Sequence, residues 1–274
     1  MGDSGMIRRA FAKGMRVVSR QPDGADSQWF WDHYETAAGE IAAFCEVCEV
    51  NLAGREIADI GCGDGIMALG LCQRAHPKRL VGFDIVPTDP ESLLSRAQAQ
   101  RAVTSLPAEL EFRASSPTGI PAGDAEFDFV YSWSAFEHIE APVGVLREIR
   151  RIVRPTGHFF LQLWPFHRSA KGSHLWDWFP EDFHHLVQNE RDVVDALHAS
   201  DRHSPEWTAY MAREFEHLNR ITPDELQRSM LAGGFEVQRV ELMTAPFHLT
   251  PELQRYSWAD LGISGIKLMA TPRP

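Results

Sequence analysis

The apolar positions of this chain follow two periods that alternate. From Ser27 onward, "SQWFWDHYETAAGEIAAFCEVCEV" sets aromatic and aliphatic residues at intervals of three and four, the spacing of one buried helix face. "REIADIG" then runs apolar and stops at glycine, which reads as a short buried strand. "DGIMALGLCQRA" returns to the helical period until His76-Pro77 ends it. The exchange continues with "RLVGFDIVP" as a strand, "PESLLSRAQAQRAV" as a helix, and "AELEFRAS" and "FDFVYSWS" as strands. It goes on with "PVGVLREIRRIVRPTG" as a helix stopped by Pro155 and Gly157, and "HFFLQLWP" as a further strand. Strands alternating with helices at this pace pair in parallel through right-handed crossovers, so the pattern predicts an α/β, doubly wound sheet.

The rhythm breaks between Pro165 and Arg220. "FHRSAKGSHLWDWFPEDFHHL" crowds Trp, Phe, His and acids together, and a charged stretch of helical period follows, with no strand expected. Alternation resumes at "ITPDELQRSMLAGGFEVQRVEL". Thr222 is a good N-cap there, Pro223 suits the first turn, Glu225 completes a capping box, and Gly233-Gly234 closes the helix before another strand. "GIKLMA" is the final strand. A structureless loop of roughly 55 residues is uncommon inside a compact domain, so residues 165–220 are expected to form an inserted helical lid. The whole, 1–274, reads as a single domain with residues 1–50 as an N-terminal helical cap.

Composition narrows the partners. A hydrophobic content of 44% over 274 residues can build one large core. The formal charge of −11, with no basic cluster to offset it, repels phosphate backbones and argues against nucleic acid. No apolar run approaches the roughly 18 residues of a membrane span, and the first residues lack an apolar stretch with a cleavage site, so no membrane partner and a cytoplasmic location are expected. The chain begins Met-Gly, but Gly5-Met6 stand where a myristoylation signal wants Ser or Thr. Four cysteines are too few for a secreted disulfide framework. Cys45 and Cys48 lie at helical spacing without a second pair, so they read as small apolar residues rather than a metal site.

The candidate chemistry starts at "IADIGCGDGIMALGL". A strand, a glycine-rich turn and a helix N-terminus gather free N–H groups and a helix dipole, which makes a nucleotide or anion site. A dinucleotide fingerprint would need glycine at Ile66, and a phosphate-cradling loop would need Gly-Lys-Ser/Thr; neither is present. Carboxylates flank the turn instead, Asp59 before it and Asp64 within it, which suits a cationic ligand. Asp84 ends the next strand about 20 residues on, where an acid accepts both ribose hydroxyls of an adenosine. A ligand with a ribose and a positive charge but no pyrophosphate fits S-adenosylmethionine.

"ADIGCGDG", "VGFDI", "IPAGDAEFDFVYSWSAFEHI", "LREIRRIVRPTGHFFLQ" and "TPDELQRSMLAGGFEV" resemble, in order and spacing, the motifs of the class I S-adenosylmethionine-dependent methyltransferases. The resemblance covers residues 40–163 and 221–270. It implies a Rossmann-like seven-stranded sheet in the order 3-2-1-4-5-7-6 with strand seven antiparallel. It puts Asp59, Gly61, Cys62, Gly63 and Gly65 around the methionine moiety, Asp84 on the ribose, Ile85 against the adenine and Ser132 on the floor near the sulfonium. Where family members often carry Gly-Asp ahead of Leu-Pro, this chain has Ala114-Ser115-Ser116 before Ile120-Pro121, so Ser115 or Ser116 falls beside the base.

Methyl transfer to a hydroxyl requires the removal of a proton, by a general base or with the help of a metal. Glu137 and His138, in "SAFEHIE", leave the fourth strand at the edge where open α/β sheets bind ligands, and His138 is the first candidate for base or substrate orienter. A subset of the family, including ubiquinone-pathway O-methyltransferases, binds a divalent cation through Glu-x-x-Glu-His. Here Ser134 occupies the first position, leaving Glu137 and His138, which His174 would complete around an ion such as Mg2+. In the insertion, His167, His174 and Trp176 are the candidate substrate residues, beside Asp177, Trp178, His184 and His185. Aromatic faces next to polar groups suit a sugar ring or an aromatic acceptor, or they pack on the domain or a second copy of the chain as a homodimer. "PFHRSAKGSHLWDWFP" resembles the equivalent segment of some bacterial glycan and natural-product methyltransferases. Trp29, Phe30, Trp31 and Tyr34 either gate the cofactor or form a packing face. The expectation is O-methylation of a small molecule or saccharide. N- or C-methylation and a non-catalytic cofactor-binding subunit are the alternatives.

Overall fold

Both faces of β1 (Glu56–Ile60) are covered, and its alternating side chains serve two cores. Ala58 and Ile60 pack with Leu146 and Ile149 of one helix layer, while Ile57 packs with Ile41, Met67 and Leu71 of the other. The computed structural model describes residues 23–274; the leader up to residue 22, including the Met-Gly start, lies outside the described residues. Among those described, one seven-stranded sheet runs β3-β2-β1-β4-β5-β7-β6. Its other strands are β2 (Arg79–Asp84), β3 (Leu110–Ala114), β4 (Phe127–Trp133), β5 (Val153–Leu163), β6 (Phe235–Thr244) and β7 (Ile263–Pro272). β1 through β5 pair in parallel, and β7 lies antiparallel between β5 and β6. The order and the reversed strand are those the family resemblance implied.

The N-terminal helical period becomes one continuous coil: α1 (Asp23–Trp31), a π-helical turn over Asp32–Ala37, and α2 (Ala38–Val47). This coil lies directly on α3 (Ile66–Ala75). A Cβ at Gly70 would stand 2.0 Å from the Tyr34 carbonyl oxygen, so only glycine allows that approach. Trp29 and Phe30 are buried with Ile66, Leu69 and Leu93, which makes them packing residues rather than a gate; Tyr34 packs with them and Trp31 remains partly exposed. Cys45 is buried in the same layer, and burial pushes its thiol up to about 12, an inert small apolar residue.

α4 (Pro90–Ala99) and α5 (Pro142–Ile152) complete the crossovers. α5 ends earlier than its sequence pattern suggests. Val153 is already in β5, and the pairing jumps from Phe127↔Val153 to Phe129↔His158. Arg154, Pro155 and Gly157 therefore sit in a bulge, where proline is tolerated, instead of stopping a helix.

Between β5 and α9 (Pro223–Ala232) the inserted segment carries α6 (His184–Val187), α7 (Glu190–His198) and α8 (Pro205–His217). It has a core of its own, in which Leu175 and Trp178 meet Val193, Leu197, Met211 and Phe215. Asn189 and Ser204 cap α7 and α8, and the capping box of Thr222 and Glu225 forms as its spacing predicts. No helix among the described residues is long and apolar enough to cross a membrane.

Candidate active site

The carboxyl ends of β1, β2 and β4 converge, and the first two build a cradle from main chain. Gly61, Gly63 and Gly65 adopt φ of 76°, 55° and 77°, in the left-handed region that favours glycine. The Gly63 N–H donates to Asp84 Oδ2 at 2.8 Å, and the Val86 N–H donates to Asp84 Oδ1 at 2.9 Å. Each carboxylate oxygen keeps a further lone pair. Beside it Ile85 is 60% exposed, an apolar side chain left uncovered at the end of a buried strand. An acid already oriented by two amides, next to a bare aliphatic surface and a glycine cradle, fits the ribose, adenine and methionine parts of S-adenosylmethionine.

Several residues assigned to that cofactor from sequence have their partners within the sheet and the turn instead. Asp59 is fully buried and faces the Tyr131 hydroxyl. That phenol is raised well above its ordinary value, first by burial and then by the Asp59 charge. Ser132 is fully buried too, and its hydroxyl donates to the Ile60 carbonyl at 2.9 Å, tying β4 to β1 rather than lining a floor. Cys62 packs beneath the turn with its sulfur 3.3 Å from the Thr88 hydroxyl, while Thr88 donates to the Gly63 carbonyl. The Ser116 hydroxyl points to the Gly119 carbonyl, and the Ser115 N–H donates to the Asp84 carbonyl, so Ser115 continues the cradle through its backbone. Asp64 has a tethering role: it accepts from Trp29 Nε1 at 3.0 Å and Arg96 at 3.1 Å, fixing the N-terminal coil to the glycine turn.

The fourth strand delivers the titratable groups. A Cβ on Gly61 would lie 2.5 Å from the Ala135 Cβ, so the turn after β4 presses directly against the cofactor cradle. That turn is a 3-10 helix, Phe136–His138. Ser134, before it, holds φ of 43° and is pinned by two bonds of 2.8 Å, from its N–H and its hydroxyl to Gln162 Oε1. Glu137 is buried; His138 is partly exposed, with Nδ1 3.0 Å from Glu214 Oε2 and Nε2 4.0 Å from Glu137 Oε1. Glu214 and Asn219, both from the inserted segment, give no local sequence signal. Asn219 donates from its side chain to the Phe136 and Ile139 carbonyls at 2.7 and 2.9 Å, and from its N–H to the Glu137 carbonyl at 3.0 Å.

Of the insertion's histidines, His174, His184 and His185 are buried, and His167 is half-buried beside His185. His174 adopts φ of 64°, strain that marks a constrained position, and meets His138 edge-on at 5.3 Å. It is held well below its ordinary value, first by burial and then by His138, His167 and His185. Burial, then Arg220 and Arg168, pulls His167 down to about 3, and burial brings His184 to about 4. His185 contacts the His167 carbonyl at 2.6 Å. Trp176 is nearly buried between Trp164 and His174. His167 meets His185 and Phe215 within the insertion, whereas His174 reaches the turn of His138 and Trp176 lies beside His174.

Glu137, His138 and His174 do not come together as one set of metal donors. Among the described residues no group of three His, Cys, Asp or Glu side chains could hold a metal ion. The rings of His138 and His174 cross at 89° as a packing contact, His138 Nδ1 is engaged by Glu214, and Ser134 replaces the missing carboxylate.

Residues 30–240 match the family model described as a methyltransferase domain. A ubiquinone biosynthesis O-methyltransferase of Stutzerimonas stutzeri is 31% identical over 112 residues, 40% of this chain and 45% of that protein. The chain thus spans about half the length of that relative. The phthiotriol/phenolphthiotriol dimycocerosates methyltransferase of Mycobacterium leprae is 28% identical over 182 residues, 61% of this chain and 62% of its own. Among solved structures, an S-adenosylmethionine dependent methyltransferase from Mesorhizobium loti superposes with a TM-score of 0.53 at 19% identity, covering 87% of this chain and 99% of that one. A Haloferax volcanii methyltransferase solved with the Trm112 activator gives 0.54 at 18%, covering 92% and 95%. With the sheet order, the glycine cradle and Asp84 already in place, the match over most of its length makes this chain a member of the class I S-adenosylmethionine-dependent methyltransferases.

Proposed function

We propose that the chain transfers the methyl group of S-adenosylmethionine to a hydroxyl oxygen of a small molecule, with His138 as the general base. The observation that carries this is the position of His138: partly exposed, with Nδ1 3.0 Å from the Glu214 carboxylate, and on a turn pressed against the glycine cradle. Bound S-adenosylmethionine supplies an electrophilic methyl on a sulfonium, open to in-line displacement. Asp84 holds the ribose, and Gly61, Gly63 and Gly65 let the backbone approach the methionine moiety. Asp59 adds negative potential from behind the turn, which favours a cationic donor. His138 takes the hydroxyl proton as the oxygen attacks, a step an alcohol needs more than an amine does. Glu137, buried beside it, favours the imidazolium that results.

The O-methyltransferase named among the relatives supports an oxygen acceptor. His174 and Trp176, with Trp164, offer an aromatic wall with a polar tip beside His138, suited to a flat ring or a sugar face, so a saccharide remains within the reading. The lid role of residues 165–220, a homodimer and a cytoplasmic location belong to the same proposal. Incubation of the chain with methyl-labelled cofactor and a metabolite extract, followed by identification of the labelled product, tests it. An O-methyl product whose formation His138→Ala abolishes is expected, and an N- or C-methyl product, or none, would overturn it.

A further inference from the structure

A turn can carry a reacting group only if its main chain is held in place, and the carbonyls at the end of a short 3-10 helix have no partner within it. We propose that Asn219 is a positioning residue: it grips the turn Phe136–Ile139 by its carbonyls and so fixes where His138 stands relative to the glycine cradle. Its effect on the rate rests on the reading of His138 as the base.

The turn is held at both ends. At its entry the Ser134 N–H and hydroxyl both donate to Gln162 Oε1 at 2.8 Å, and a Cβ on Gly61 would lie 2.5 Å from the Ala135 Cβ. At its exit the carbonyls of Phe136, Glu137 and Ile139 all accept from one residue. Asn219 gives its side-chain N–H groups to Phe136 and Ile139, at 2.7 and 2.9 Å, and its main-chain N–H to Glu137 at 3.0 Å. Its Oδ1 accepts from the Ile221 N–H at 3.0 Å. A primary amide has two N–H donors and one acceptor oxygen, so both donors are spent on the turn and none is left for a substrate. The residue type follows: aspartate would set lone pairs against two carbonyls, and alanine would leave those carbonyls without the donors.

The place of Asn219 in the chain extends the grip. Leu218, just before it, is buried in the apolar core of the insertion, and Ile221, just after, is buried in the core of the sheet. Between them Arg220 takes φ of 57°, a costly conformation for a non-glycine residue that persists where the surroundings impose it, and its guanidinium is 2.6 Å from Glu190. Asn219 is thus a joint anchored on one side in each core. Three donors of one joint meet three carbonyls of one turn at a single offset, so a displaced joint displaces the turn. A shift of about 1 Å in a reacting group costs up to about a hundredfold in rate.

Hydrogen exchange of the full chain, read by mass spectrometry, tests the grip without any acceptor. Asn219→Ala should speed exchange of the amides of residues 134–140 by about tenfold or more, while those of α7, α8 and β4 stay within about twofold of wild type. With methyl-labelled cofactor and a metabolite extract, the same variant should lower the saturated rate of label transfer by about 10- to 100-fold, with the KM for the cofactor within about twofold. Asn219→Asp, of the same shape, should reproduce both results, and it provides the comparison should the alanine variant not fold. Unchanged exchange at the turn would overturn the proposal. So would acceleration spread through α7 and α8, which marks a purely structural residue, or a loosened turn with a normal rate. The two readings fail separately. A normal rate in His138→Ala removes the base while the exchange result stands, whereas a turn that stays tight in Asn219→Ala removes the role of Asn219 and leaves the base.

Discussion

The cradle at β1 and β2 and the segment inserted after β5 lie near one another but are held by different forces. In the cradle, the decisive contacts are main chain: three left-handed glycines, and two N–H groups on Asp84. In the insertion they are side chains, a small apolar core and a set of buried, neutral imidazoles. Backbone contacts tolerate change at most side chains and demand glycine at a few points. Side-chain contacts demand little of any one residue but depend on charge state and volume. The glycine cradle is thus fixed by conformation and the inserted segment by packing.

The largest expected effect falls where the two regions meet. His138→Ala should lower kcat by about 10²- to 10⁴-fold with cofactor affinity unchanged in calorimetry. Asp84→Ala acts on the cradle alone: it removes a charged acceptor from two amides and from the ribose, and calorimetry should show cofactor affinity reduced by about a hundredfold. Affinity within a few-fold of wild type would break the conformational account of the donor site.

The third prediction concerns the insertion. His167 has its folded value near 3 against an ordinary 6.5, so as the pH falls the unfolded chain takes the proton first. Its contribution is complete above about 6.5 and is lost progressively between 6.5 and 3, reaching about 2 kcal/mol of lost stability at pH 5. Urea unfolding at pH 7 and pH 5 should show that difference shrink in His167→Phe, while an equal loss in both proteins would place the acid sensitivity elsewhere. The smallest effect is on metal removal: because no three-donor group forms among the described residues, dialysis against EDTA should change the rate less than about twofold.

This division also explains what the sequence makes legible. Glycine spacing, the acid at the end of β2 and the Thr222–Glu225 box each follow from local backbone demands, and each forms. The α5–β5 boundary does not follow, because Ile152 and Val153 satisfy helical and strand periods alike and the bulge at Arg154–Gly157 is set by pairing with Phe127 and Phe129 of β4. Asp59 and Ser132 have the expected residue types, yet their burial depends on Tyr131 and the Ile60 carbonyl, contacts across the sheet. Glu214 and Asn219 carry no signature, since a carboxylate on a charged helix face resembles every other until its partner is located. For the same reason the histidines of the insertion look like ligands in the sequence and turn out to be largely interior packing.

The contact between Gly61 and Ala135 carries one more implication. Because these two small residues touch, the proposed seat of the methyl donor and the proposed proton acceptor share a single reference point. Any swelling there would lengthen the path the methyl must cross, however intact each half remained. In the proposed reaction the transfer distance is thus set by the absence of atoms at position 61.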